Sequence, residues 1–164
     1  MTDLTHPSIH SAKSNDADGV SAVLTALVAA GKRTKPADIA FALDHYIAHP
    51  DTIRCSVAVD QNGTILGFQS LKLAIDGNIY DVTPGWGIIG THIHPEAARR
   101  GVGRALFVAT CDAARAAGIA KIDATIGEAN AEGLAYYSAM GFATYRRMKG
   151  AVCKCFDPHV SRIS

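Results

Sequence analysis

Between His94 and Leu106 an apolar stretch gives way to a basic, glycine-bearing turn, Pro95-Glu96-Ala97-Ala98-Arg99-Arg100-Gly101-Val102-Gly103-Arg104, that reads as the opening of a helix. Backbone N–H groups in the first turn of a helix have no intrahelical acceptor and sit at the positive end of its dipole. A diphosphate can satisfy several of them at once, and glycine lets the chain come close to it. Arg99, Arg100 and Arg104 supply charge, while Gly101, Val102 and Gly103 offer backbone. The chemistry on offer is capture of a phosphorylated ligand.

Other residues could act on what is captured. Tyr137 carries a phenol that stays protonated at neutral pH, its ordinary pKa being about 10; it can equally pack beside Tyr136 as a core aromatic. Asn130 can hydrogen-bond a ligand or serve as a helix N-cap. His92 and His94 titrate near neutrality and point the same way if their segment is a strand. Asp81 and Glu128 are the other ionisable candidates. Trp86, between two glycines, offers a flat wall that can hold a cation.

Asn130 is followed after six residues by Tyr137, and Tyr137 after three more by Gly141-Phe142. That pattern, standing one strand beyond the basic turn, resembles the GCN5-related N-acetyltransferases, the GNAT family, over roughly Trp86 to Tyr145. In that family the turn usually has Arg or Gln three residues before the first of two alternate glycines. Aligning Gly101 with the second glycine puts Arg99 at the first and Glu96 at the Arg/Gln position. Arg99 must then adopt a backbone geometry better suited to glycine.

The resemblance implies an acetyl-CoA-dependent N-acetyltransferase that moves an acetyl group to a primary amine by direct attack on the thioester. Acetyl-CoA is then the cosubstrate, its diphosphate held by amides from Arg99 to Arg104. The backbone N–H of Ile93 faces the oxyanion, Asn130 meets the cofactor's amide-bearing arm, and Tyr137 is the general acid. The family's two central strands part to admit that arm. Its members often carry Glu or His midway along the central strand, where this chain has Gly87-Ile88-Ile89-Gly90. His92 is therefore the side-chain candidate for the base, beside deprotonation through water. The family's acceptor region includes the link between its first two helices, here with Lys32, Arg33 and Lys35, which hints at an anionic group on a small-molecule amine or amino-acid acceptor. Homodimers are common in the family. A CoA-binding regulatory module without transferase activity is the alternative. A dinucleotide-binding unit is disfavoured by Leu106, which stands where that fold needs a small residue, and by the antiparallel strands before Trp86.

These groups need a scaffold. The chain has 164 residues, 48% of them apolar, enough for one sizeable core and a single domain. A net charge of +1 gives no footprint for nucleic acid. No apolar run suits a membrane span or a secretory signal, so a cytoplasmic protein is expected, with no membrane partner. Cys55, Cys111, Cys153 and Cys155 lack zinc-knuckle spacing and read as free thiols, with no metal site. Apolar periodicity predicts helices from Asn15 or Asp16 to Gly31 and from Pro36 to His49, strands over 53–59 and 64–73 joined at Asn62-Gly63, and a central strand over 86–93. A helix from Val102 to Ala117, a strand over 121–126, a helix over 129–140 and two last strands near 142–147 and 151–156 follow. The order ααβββαβαββ is that of a GNAT-like α/β fold, a mixed sheet with helices on both faces, and loose tails are expected at about 1–4 and 157–164.

Overall fold

In the computed structural model, which describes residues 6–160, every predicted element is present and one strand is added. The strands are β1 (Ser8–Ser11), β2 (Thr52–Val59), β3 (Ile65–Leu73), β4 (Gly87–Ile93), β5 (Ile122–Gly127), β6 (Ala143–Met148) and β7 (Ala151–Phe156). They form one sheet in the order β1-β2-β3-β4-β5-β7-β6, in which β4 and β5 are parallel and all other neighbours antiparallel. The order is therefore βααβββαβαββ rather than ααβββαβαββ. Ser8–Ser11 holds its place by backbone pairing with Val59 to Ser56, and with one apolar residue in four it carries no alternating signal.

Local chemistry accounts for the ends of the elements. Asp60 accepts hydrogen bonds from the amides of Asn62 and Thr64 at 2.8 and 3.0 Å, and Gly63 takes φ +82°, so the β2–β3 hairpin closes where Asn-Gly stands. Helix α1 (Ala17–Ala29) is followed by Gly31 at φ +73°. Helix α2 (Ile39–Phe41) starts at Asp38, whose carboxylate accepts from the Phe41 amide at 3.3 Å. It then widens into a π-helical turn over Ala42–Ile47, closed by the Ala48 N–H donating to the Leu43 carbonyl at 2.7 Å. Helix α3 is Val102–Ala116 and helix α4 is Ala131–Met140.

Alternation along the strands divides the core in two. Val57 and Phe68 pack with Val20, Val23, Leu24 and Tyr46 under α1 and α2. Leu71 and Ile89 face the other way, among Phe107, Ala114, Tyr137 and Phe142 of α3, α4 and the segment after α4. Helices thus cover both faces, as expected. The residues predicted as a loose tail from 157 behave otherwise as far as they are described: the Pro158 carbonyl accepts from Arg115, and His159 meets the Ile119 carbonyl at 2.7 Å. The tail expected at 1–4 lies outside the described residues.

Leu106 is fully buried and fixes α3 over Ala58, Leu66 and Ala97. Leu106→Ala is expected to lower unfolding free energy by about 2 to 5 kcal/mol, read as a fall in urea midpoint at constant m-value.

Candidate active site

The site begins where the sheet fails to pair. β4 and β5 share register only at Gly87 with Ile122 and Ile88 with Asp123, whereas β4 stays paired to β3, and β5 to β7, along their lengths. The two strands run the same way, so they part toward their carboxyl ends. The His94 amide donates to the Leu66 carbonyl at 2.9 Å. In an antiparallel ladder, hydrogen-bonded positions alternate, so His92 exchanges bonds with Phe68, while the amides of Thr91 and Ile93 turn away from β3 into the gap. Ile93 therefore presents an unpaired N–H on one lip of the opening, and its side chain packs on the core beside Val102 and Leu106.

At the end of β4 the turn leads into α3. Among the described residues, no backbone acceptor serves the amides of residues 99 to 104; the first bond of the helix runs from the Ala105 N–H to the Gly101 carbonyl. Two residues bend this segment. Gly101 has φ +79°, and Arg99 has φ +64°, one of two described non-glycine residues in that region. Arg99 pays the strain that a glycine would avoid, as its alignment predicted. The Arg99 and Arg104 side chains are exposed. That of Arg100 lines a cavity of about 220 Å³ with Asp60, Glu96 and His94. Gly103 has a packing duty as well: an added Cβ would stand 2.6 Å from the Tyr136 ring.

Behind the gap lies a buried polar network. The Tyr137 hydroxyl meets Thr91 Oγ1 at 2.7 Å. Gln69, fully buried, donates through Nε2 to Thr91 Oγ1 and to the Tyr136 hydroxyl, each at 3.0 Å, and accepts from Thr110 through Oε1. The Tyr136 hydroxyl in turn donates to the Gly103 carbonyl at 2.7 Å. Because both Gln69 N–H groups are committed, Thr91 is free to donate to Tyr137, which leaves the Tyr137 hydroxyl proton for a group in the gap. Burial pushes the Tyr137 phenol well above its ordinary pKa, so it stays protonated. Gln69, Thr91, Thr110 and Tyr136 carried no signal in the sequence, since single polar residues at strand and helix positions have no pattern.

On the opposite face of β4, His92 stacks on Phe68 with centroids 4.6 Å apart. Its Nε2 lies 3.4 Å from Arg33 Nη1 and 3.5 Å from the Tyr46 hydroxyl. Burial and then the charge of Arg33 hold its pKa down to about 3. His92 is neutral at ordinary pH and a poor proton acceptor, which counts against the role of base expected of it. His94 Nδ1 accepts from the Glu96 amide at 3.1 Å and caps the turn. Asp81 sits at φ +54° in the connection before β4, and Glu128 is exposed beyond β5.

Asn130 caps α4, its Oδ1 accepting from the Gly133 amide at 3.0 Å, and its Nδ2 remains a donor. Trp86 stands at the paired end of β4, one residue before Gly87, with Lys121 5.7 Å over its face and Tyr145 beside it. It is therefore remote from the opening, and the cation its flat wall holds is that of Lys121. Lys32 is tied to Glu132 of α4 at 2.6 Å, which removes it from the basic group of the α1–α2 link. All four cysteines are free thiols, and no metal-binding cluster occurs among the described residues. No described helix is long and apolar enough to cross a membrane.

A model of the Acetyltransferase (GNAT) family matches residues 23–142. The fold is similar to that of yncA from Salmonella typhimurium, solved with its cofactor acetyl-CoA, at 20% identity and TM-score 0.74, covering 95% of this chain and 96% of that one. A GCN5-related N-acetyltransferase from Kribbella flavida gives 19% identity and TM-score 0.75 over 94% and 99% of the two chains. The paia N-acetyltransferase from Thermoplasma acidophilum, in complex with coenzyme A, gives 14% and 0.70 over 92% and 98%. No curated protein sequence matches the chain.

The depressed histidines predict the acid side of the stability profile. His92 is held at about 3 and His45 at about 4, each against an ordinary 6.5, so the unfolded chain binds more protons than the folded one between those limits. Their contribution is present above pH ~6.5 and lost as pH falls toward 4. The urea midpoint should fall between about pH 7.5 and 5, and His92→Gln should flatten that fall.

Proposed function

Because the chain belongs to the GNAT acetyltransferase family, we propose that it moves the acetyl group of acetyl-CoA to a primary amine by direct attack on the thioester. One observation carries the reading: β4 and β5 part beside an Ile93 amide that turns away from β3, and β4 runs out of that gap into the amides of residues 99 to 104, which have no backbone acceptor among the described residues. The residues present fit the cosubstrate. Free N–H groups at the head of α3, opened by the positive φ angles of Arg99 and Gly101, suit a diphosphate. The Asn130 Nδ2 suits an amide carbonyl of the arm.

Each chemical demand then meets a group of this chain. The Ile93 N–H donates to the carbonyl oxygen as it gains negative charge. The amine nitrogen forms its bond to the carbonyl carbon, the carbon–sulfur bond breaks, and the sulfur leaves with the electron pair. Tyr137 gives the departing thiolate a proton, and Thr91 and Gln69 hold the phenol in position for it. Its raised pKa makes it a weaker acid but keeps the proton present over the whole neutral range. With His92 held neutral and pressed against Arg33, the amine loses its proton to water rather than to a side chain.

Tyr137→Phe removes the proton donor and preserves the ring that packs on Phe142. It is expected to lower kcat by about 100-fold or more while leaving acetyl-CoA affinity within about twofold, read by thiol release and calorimetry. Wild-type turnover after this exchange would assign the proton elsewhere, and a wild-type protein that binds CoA without any turnover would be the regulatory module. Gly101→Glu puts a side chain at φ +79° and a negative charge into the amide cradle. It should weaken acetyl-CoA binding by at least about tenfold, and undiminished affinity would refute the cradle.

A further inference from the structure

The acceptor side of the gap holds a concentration of positive charge that the fold does not itself neutralise. Arg33 reaches from the α1–α2 link to β4. Its Nε and Nη2 donate to the Pro36 carbonyl at 3.2 and 2.7 Å, and its Nη1 contacts the Tyr46 hydroxyl at 3.2 Å and His92 at 3.4 Å. The guanidinium also lies 5.6 Å from the Phe41 centroid and 5.9 Å from that of Tyr46. It is thereby fixed in place without an ion pair to any described acidic side chain. Lys72 Nζ stands 5.7 Å from the centroid of the same Tyr46 ring. Lys35 is near enough that its charge, with those of Arg33 and Lys72, helps depress His45. The acidic neighbour of Lys72 is Asp51, which faces His49 at 4.0 Å.

Holding an arginine in this way has a cost unless something uses it. A guanidinium has five N–H groups; four contacts are made, which leaves one on Nη2, and the two made by Nη1 are long enough for a better acceptor to replace. Arg33 can only donate, so His92 accepts at Nε2 and carries its proton on Nδ1. That Nδ1 is buried and has no partner among the described residues. Arg33 thus retains an N–H on Nη2, His92 a buried and unpartnered Nδ1–H, and the guanidinium meets β4 at the residue before Ile93.

We propose that the acceptor is an amine bearing a carboxylate close to its nitrogen, an amino acid in the broad sense, and that Arg33, backed by Lys35 and Lys72, receives that carboxylate. This rests on the acetyl-transfer reading above. The closeness follows from His92, which touches Arg33 and lies between Thr91 and Ile93 in the chain: a carboxylate on Arg33 leaves room for only a short link to a nitrogen over the gap. The same cations oppose a polyamine, which would meet like charges around Arg33.

The test is a thiol-release assay with acetyl-CoA over glycine, β-alanine, leucine, methionine and glutamate, their carboxamides, and spermidine. The best acid is expected to exceed its carboxamide in kcat/KM by at least about tenfold, with spermidine the poorest. Arg33→Gln should bring that ratio close to one with acetyl-CoA affinity unchanged by calorimetry, and Lys35→Gln, at an exposed position, should lower it by a smaller factor. Carboxamides or spermidine used as well as the acids, or a ratio that survives Arg33→Gln, would overturn the proposal. Should no amine release thiol, the transfer reading fails, and calorimetry on CoA-bound protein decides this one separately. Acids that bind more tightly than carboxamides in an Arg33-dependent way uphold it, and equal binding refutes it.

Discussion

The rest of the molecule depends on an interruption in the sheet. Antiparallel pairing holds β4 to β3 and β5 to β7 to the ends of the strands, so each half of the sheet is internally satisfied and neither needs the other beyond Ile88 and Asp123. Parting two strands of a sheet ordinarily strands their amides in an apolar interior, which is costly. Here the stranded groups face an opening, and a ligand that brings acceptors to them recovers that cost as binding energy. The site and the defect in the sheet are one feature.

The buried polar network keeps the opening in shape. A fully buried glutamine is expensive unless all of its bonds are made, and Gln69 has partners for both ends of its amide. Those partners lie on three different elements: Thr91 on β4, Thr110 on α3 and Tyr136 on α4, which in turn reaches the Gly103 carbonyl in the first turn of α3. Movement of the turn at the head of α3 is thus mechanically tied to the Tyr137 hydroxyl. Gly103 serves this tie, since only a residue without a Cβ lets Tyr136 reach its carbonyl.

Much of this was legible in the residues and some of it was not, for reasons of pattern. Helices α1, α3 and α4 announced themselves by apolar spacing and, for α1 and α4, by Gly31 and Asn130 at their ends, and the positive φ at Arg99 followed from its place in the turn. Strand β1 was missed because an edge strand held by backbone bonds needs no apolar alternation. An aromatic between glycines, as at Trp86, gives no hint of which end of a strand pair is closed. Arg33 and Lys32 are adjacent and chemically alike, yet one contacts His92 and the other is bound to Glu132. Only the path of the link between α1 and α2 separates them, and that path depends on long-range contacts.

The economy of the site lies in three consecutive residues of β4. A strand sends successive side chains to opposite faces while its amides lie in the plane of the sheet, so Thr91, His92 and Ile93 address three separate regions from one short segment. Thr91 turns to the face covered by α4 and orders Tyr137. His92 turns to the face covered by α2, where the π-helical turn brings Tyr46 against it and Arg33 closes the cluster. Ile93 contributes its amide edgewise to the gap between them. A one-residue slip of β4 would exchange the two faces and aim that amide at β3. The tight register with β3, from Gly67 opposite Ile93 to Leu73 opposite Gly87, is therefore what keeps the Tyr137 hydroxyl, the Arg33 guanidinium and the Ile93 amide on their separate sides of the gap.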